Sequence, residues 1–238
     1  MTTIPLAVPL IPFSRVQGRM IRLWDPFRRN SHIVVYGFTG SGKSHLIRYG
    51  ILPLRRYSRT VVIDMKDDRD STWSGFGTPV AELPPMFFDS GDFSRWRIIV
   101  DRSNPQSQLR RVLDQIRTEG HCVVVLDETR SVTEREQAGL GSVVENLITE
   151  GRGLGVSMIM GAQSLAWATS ALKDQPATMF VGQLGGEQPL AVAKLIGHGR
   201  ELAATIRGLP EHRFLYHDRW PGGPMLALTD SPPLPRAA

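Results

Sequence analysis

Eight residues near the start of the chain, Gly37-Phe38-Thr39-Gly40-Ser41-Gly42-Lys43-Ser44, fit the pattern G-x-x-x-x-G-K-[ST]. They follow the apolar run "HIVVYG" and precede a helical segment, which is the context this pattern requires. Glycines let the backbone curl until its N–H groups point at a phosphate, and the helix that follows presents its positive end to the same group. Lys43 is placed to bridge β- and γ-phosphates, and Ser44 to ligate Mg²⁺. The expected cofactors are therefore ATP and Mg²⁺.

A magnesium–nucleotide site also needs a carboxylate at the tip of a neighbouring strand, and "HCVVVLDE" supplies two. Asp127 is placed to hold the metal through water, and Glu128 to polarise the water that attacks the γ-phosphate as a general base. An Asp-Glu pair at this position favours hydrolysis over transfer to a small acceptor. Further on, "EGRGLGVSMIMGAQS" runs an Arg-Gly cluster into an apolar strand ending at Gln163. A glutamine there can hydrogen-bond the γ-phosphate or the lytic water. Arg152 is a candidate to reach a neighbouring subunit's phosphate, an effect worth about 10³ to 10⁵ in rate where arginine fingers act. Arg130 and Arg207 are rivals for that role.

The elements that must position these residues follow from hydrophobic pattern. Short, continuously apolar runs at residues 32–37, 60–65, 96–101, 122–127, 156–162 and 177–183 suit strands buried on both faces of a parallel sheet. Between them, Leu109, Val112, Leu113 and Ile116, and then Leu140, Val143, Val144, Leu147 and Ile148, form helical stripes. Strands alternating with helices predict an α/β fold with a doubly wound sheet. Residues 1–30 read as an N-terminal arm with a possible strand at "RMIRLW", and residues 31–230 as the core. Residues 72–85 read as a Gly- and Pro-rich loop. "EQPLAVAKLIG" and "RELAATIRG" look helical, and "EHRFLYHD" and "GPMLALT" look like two strands around a turn. Residues 231–238 read as a disordered tail.

At 238 residues and 41% hydrophobic content the chain can bury a sizeable core. No apolar run is long enough for a membrane span, which requires about 18 residues, and the N-terminus lacks a signal pattern. The expected location is the cytoplasm. A single cysteine, Cys122, excludes an internal disulfide framework and a cysteine-cluster zinc site. The net charge is +5, unevenly spread: residues 1–60 hold ten Lys/Arg against the single acid Asp25. Such asymmetry suits contact with a polyanion, although 24 of the 28 cationic residues are Arg and a compositional bias produces the same count.

Taken in order, "GFTGSGKS", "VVIDMKDD", "VVVLDE" and "GRGLGVSMIMGAQ" resemble the HerA/FtsK superfamily of DNA-pumping ATPases over about residues 31–185. The resemblance pairs the phosphate loop with an Asp-x-Lys element, here Asp64 and Lys66, although Met65 replaces the proline often found between them. It implies a RecA-like, mainly parallel P-loop NTPase core of the ASCE type. It also implies a homo-oligomeric ring, usually a hexamer, with ATP at subunit interfaces and double-stranded DNA in the channel. Candidate channel loops are residues 67–77 and 129–136, with Arg69, Arg130 and Arg135, gripping the backbone without reading bases. A bare core of this size is most similar to the genome-packaging ATPases of tailless, internal-membrane viruses, which would add a capsid vertex or membrane protein as partner. Plasmid-transfer and chromosome-handling motors, a small-molecule or nucleotide kinase, and a non-motor assembly or secretion factor are the alternatives.

Overall fold

The computed structural model describes residues 4–23, 32–55, 58–65, 72–86, 94–134, 138–165, 170–219 and 224–233. The chain opens with helix α1 (Phe13–Leu23), followed by strand β1 (Ile33–Tyr36) and the phosphate loop. A single helical run then changes pitch twice: α2 (Lys43–His45), a π-helical turn (Leu46–Ile51) and a 3-10 turn (Leu52–Arg55). Next come β2 (Thr60–Asp64), β3 (Thr78–Val80), β4 (Arg95–Ile99), α3 (Pro105–Glu119), β5 (Val123–Leu126), α4 (Thr129–Thr133) and α5 (Gly141–Leu154). The second half adds β6 (Ser157–Ala162), α6 (Ser170–Asp174), β7 (Thr178–Val181), α7 (Gln188–Leu195), α8 (Arg200–Arg207), β8 (Arg213–Asp218) and β9 (Leu226–Asp230).

The strands form one sheet in the order β3-β4-β2-β5-β6-β1-β7-β8-β9. Pairing is parallel from β3 through β7, and β8 and β9 add an antiparallel hairpin at the edge. The chain leaves β1 toward one side of the sheet and later crosses from β6 over β1 to β7, so β1 is the switch point. In open α/β sheets the crevice at the carboxyl ends of such strands is where ligands bind.

Alternation along each strand divides the core between two faces. Val34, Tyr36, Val61, Ile63, Val124, Leu126, Met158 and Met160 join α3, α5, α7 and α8 on one side. Ile33, Val35, Val62, Val123, Val125, Ile159 and Phe180 join α1 and the helical run after the phosphate loop on the other. The doubly wound, mainly parallel α/β sheet expected from the pattern is the observed one.

Two local expectations fail. The described part of "RMIRLW", Arg19–Leu23, is the last turn and a half of α1 and not a strand. Phe13, Val16 and Met20, three and then four residues apart, all turn inward, a periodicity visible only over a window longer than six residues. The supposed loop at residues 72–85 contains the parallel edge strand β3, whose Thr78-Pro79-Val80 pairs with Trp96-Arg97-Ile98. Proline is tolerated there because an edge strand need not donate on its outer side.

The N-terminal arm is tied to the far edge of its own sheet. Ile11 N donates to Leu228 O at 2.9 Å, and Leu6 N to Glu201 O at 3.0 Å. Arg19 Nη2 donates to Asp218 Oδ1 at 2.9 Å, and Tyr216 Oη to Asp218 Oδ2 at 2.8 Å. Asp218 is fully buried, so the pair joins α1 to β8. Within the tail expected to be disordered, Ser231 N donates to His212 O at 2.7 Å and Pro232 O lies 2.7 Å from His45 Nε2. Residues 234–238 lie outside the described residues.

Candidate active site

The phosphate loop is held by three elements. Gly37 N donates to Ala162 O at the end of β6 (3.1 Å), Phe38 N to Gln183 O after β7 (3.1 Å), and His212 N to Ser41 O before β8 (3.2 Å). Gly42 sits at φ 91°, and a Cβ there would lie 2.6 Å from His212 Nδ1, so both backbone conformation and space require glycine. Lys43 is buried, and its ammonium donates to Gly37 O and Phe38 O, both at 2.8 Å. The loop's own carbonyls thereby draw the ammonium back across the loop, and reaching a phosphate requires exchanging one of them for a phosphate oxygen.

Asp127 and Glu128 emerge at the tip of β5, and Gln163 at the tip of β6. Strand β5 is not the immediate neighbour of β1; β6 lies between them, so Gln163 projects between the phosphate loop and the two carboxylates. Ser44 Oγ lies 2.8 and 2.7 Å from Asp127 Oδ1 and Oδ2. Gln163 Nε2 donates to Glu128 Oε2 at 2.8 Å. The close approach of β5 to β6 depends on Gly161, where a Cβ would stand 2.3 Å from Asp127 O. Thr129 Oγ1 donates to Gly161 O at 2.8 Å and fixes the start of α4, the helix that begins directly after Glu128.

These groups border a cleft of about 270 Å³ lined by Gly40, Lys43, Ser44, Asp127, Glu128 and Gln163 among others. Its chemistry fits a magnesium–nucleotide: backbone N–H groups and an ammonium for phosphate, and a hydroxyl beside a carboxylate as hard oxygen ligands. Among the described residues no group of three or more His, Cys, Asp or Glu could hold a metal on its own. Mg²⁺ typically uses one or two protein ligands and completes its shell with phosphate and water, and Ser44 and Asp127 are the residues that would hold it here. A larger cleft of about 420 Å³ is lined by Arg48, Tyr49, Phe76 and Arg95 without any carboxylate. Size alone would have pointed to the wrong place.

Several candidates from the sequence fall elsewhere. Arg152 belongs to the last turn of α5, which returns the chain to the start of β6, at the amino end of the strands, opposite the phosphate loop. Arg207 Nη2 donates to Gly186 O (3.2 Å) on the β7 side of the site. Arg130 sits in α4, paired with Glu134 at 2.7 Å, so this part of the expected channel loop is helical. Asp64 is buried at the tip of β2, with Arg97 Nη1 3.9 Å from its Oδ2. Lys66, Arg69 and Arg135 lie outside the described residues.

Sequence reasoning missed two features of the site. Trp73, assigned to a channel-facing loop, is fully buried, and its Nε1 donates to Asp127 Oδ2 at 3.0 Å. His45 borders the cleft and stacks edge-on with His212, ring centroids 5.2 Å apart. A bulky aromatic in a Gly-rich segment was the available signal for the first; the second depends on a contact between residues 167 positions apart.

No protein-family model and no curated protein sequence matches the chain. Solved structures do. The genome-packaging NTPase B204 of Sulfolobus turreted icosahedral virus 2, in complex with sulfate, superposes with a TM-score of 0.65 at 17% identity, covering 86% of this chain and 97% of that one. VirB4 of Thermoanaerobacter pseudethanolicus gives 0.62 at 12% identity, covering 89% and 93%. The chain shares the fold of these proteins. The same fold recurs in the cytoplasmic domain of the Type VII secretion ATPase EccC of Thermomonospora curvata, with a TM-score of 0.58 at 17% identity, 86% of this chain matching 25% of that one. B204 has also been solved with AMPPCP and with ATP-gammaS. No helix among the described residues is long and apolar enough to cross a membrane.

Proposed function

We propose that this chain is an ATPase that drives double-stranded DNA, packaging a viral genome into a preformed capsid as a ring of identical subunits. The observation that carries the reading is the contact between Gln163 and Glu128 beside the Ser44–Asp127 pair. It supports a role for Gln163 as a reporter of nucleotide state beside the candidate base, at the tip of the strand that separates the phosphate loop from the carboxylates. The match to nearly the whole of a genome-packaging NTPase supports the choice of cargo.

In this reading the loop from Gly37 to Ser44 binds the triphosphate through backbone N–H groups, and Lys43 gives up a carbonyl to reach the β- and γ-phosphates. Bound Mg²⁺, held by Ser44 and Asp127, would neutralise phosphate charge. Glu128 accepts the proton of a water whose oxygen bonds to the γ-phosphorus while the bond to the bridging oxygen breaks. Gln163, anchored to one oxygen of Glu128, orients the carboxylate before hydrolysis. It loses or changes that partner when the γ-phosphate leaves, which is a means of passing nucleotide state along β6. An arginine from a neighbouring subunit, Arg152 or its rivals Arg130 and Arg207, completes the charge stabilisation.

A second reading has its own support. VirB4 matches over 93% of its length and EccC is a secretion ATPase, so the cargo of this fold is not uniform. ATP hydrolysis measured with and without long duplex DNA, together with particle mass in nucleotide, separates the readings. Length-dependent stimulation and a ring-sized particle are expected of the packaging motor. Hydrolysis indifferent to DNA would move the assignment to a secretion or assembly factor, and turnover by a monomer to a kinase-like enzyme.

A further inference from the structure

The segment from Thr72 to Gly77 runs between two clefts. Thr72 borders the cleft at the phosphate loop, and Gly75, Phe76 and Gly77 border the arginine-lined one. Trp73 lies between them with no exposed surface, its ring edge-on to Phe76 at 5.6 Å between centroids. Arg48 Nη2, on the helical run after the phosphate loop, donates to Ser74 O at 3.0 Å and anchors the segment. The indole is thus buried against Phe76 in an anchored segment, and its one polar atom is aimed at Asp127 Oδ2.

We propose that Trp73 is a positioning residue for Asp127, holding that carboxylate in the orientation required to hold Mg²⁺ through water. The argument rests on the site reading above and on donor chemistry. Ser44 Oγ–H is directed at both oxygens of Asp127. A serine hydroxyl has a single proton to donate, which it keeps when a lone pair faces a metal, so it can hold one oxygen of Asp127 at a time and leaves the other to a different donor. The indole N–H only donates, does not ionise and cannot rotate away in a packed core, so it constrains Oδ2 whether or not Ser44 is engaged. Outer-shell groups that orient what holds a metal are worth about 10- to 100-fold in metal affinity, and a carboxylate acting through water depends on that orientation.

The test compares Trp73→Phe with replacement of Trp73 by 3-benzothienylalanine, which keeps the shape of the ring and lacks the N–H. Binding of ATP-gammaS is measured by calorimetry with and without Mg²⁺, and hydrolysis over a Mg²⁺ titration. Both replacements are expected to raise the half-saturating Mg²⁺ concentration about 10-fold, to leave metal-free nucleotide affinity unchanged, and to recover most of the rate at saturating Mg²⁺. A benzothienyl protein that behaves as the parent overturns the proposal even if the Phe variant is impaired or fails to fold, because packing and not the donor would then be responsible. Equal loss of nucleotide affinity with and without Mg²⁺ overturns it too. Should Mg²⁺ fail to strengthen nucleotide binding in the parent protein itself, the metal assignment to Ser44 and Asp127 falls, and the proposal with it.

Discussion

The two ends of the parallel sheet treat their polar groups in opposite ways. At the carboxyl end, Lys43, Ser44, Asp127, Glu128 and Gln163 contact one another or loop carbonyls, and each contact can be exchanged for a ligand. At the amino end, His32 is fully buried with both ring nitrogens committed, Nε2 lying 2.8 Å from Ile148 O and Nδ1 accepting from Met158 N at 3.0 Å. Burial lowers its pKa to about 4, so the ring stays neutral and pins β1 to α5 and β6. Close by, burial pushes the Cys122 thiol up to about 12, leaving it inert as a nucleophile. One end is built to change partners and the other to keep them. Chemistry therefore belongs to the exchangeable end, and substitutions at the two ends should fail in different measurements.

The largest expected effect is at the exchangeable end. Glu128→Gln should lower the hydrolysis rate by about 10²- to 10⁴-fold, the usual contribution of a general base, while triphosphate binding persists. Lys43→Ala should abolish turnover with the protein still folded. If either variant hydrolyses normally, the assignment of that residue is wrong.

The fixed end should instead register in stability. Between pH 6.5 and 4 the unfolded chain protonates at residue 32 while the folded chain does not, so the unfolded state binds more protons and stability falls as pH drops. The shift corresponds to up to about 3 kcal/mol, fully lost once pH reaches about 4. Urea unfolding across this range should show the decline, and His32→Gln should flatten it; an unchanged slope in the variant would place the acid sensitivity elsewhere. A smaller loss, about 2 kcal/mol, is expected for Arg19→Ala, which strips the buried Asp218 of its cationic partner yet leaves hydrolysis intact. Thermal unfolding measures the first and steady-state turnover the second.

The smallest effect on the isolated subunit tests the exception to this division. Arg152 lies at the fixed end of its own sheet and has a chemical role only if it serves a neighbour. Arg152→Ala should leave stability and nucleotide binding unchanged but make rings mixed with parent subunits defective in turnover. Fully active mixtures would remove the residue from the mechanism.

How much of this was legible in the chain differs by the same division. The buried strands were readable because Ile, Val and Leu run continuously through them, and the phosphate loop because its glycines have a backbone function at fixed spacing. Asp127 and Glu128 followed from being the first charges after "CVVVL". Strand order was not readable: nothing in local pattern says that β6 inserts between β1 and β5, yet that insertion brings Gln163 to Glu128. Trp73, although conspicuous as a bulky aromatic, could not be placed for a related reason. Its polar, Gly-rich surroundings look solvated, and only the tertiary path of residues 72–77 carries it to Asp127. Helix α1 was misread because a six-residue window cannot distinguish a strand from one amphipathic turn.

The central claim, that hydrolysis at Glu128 moves duplex DNA, is tested most directly by displacement of a third strand bound to a duplex ahead of the protein. The account predicts displacement that requires ATP and Mg²⁺ and disappears in Glu128→Gln. Hydrolysis stimulated by duplex DNA without any displacement would contradict it.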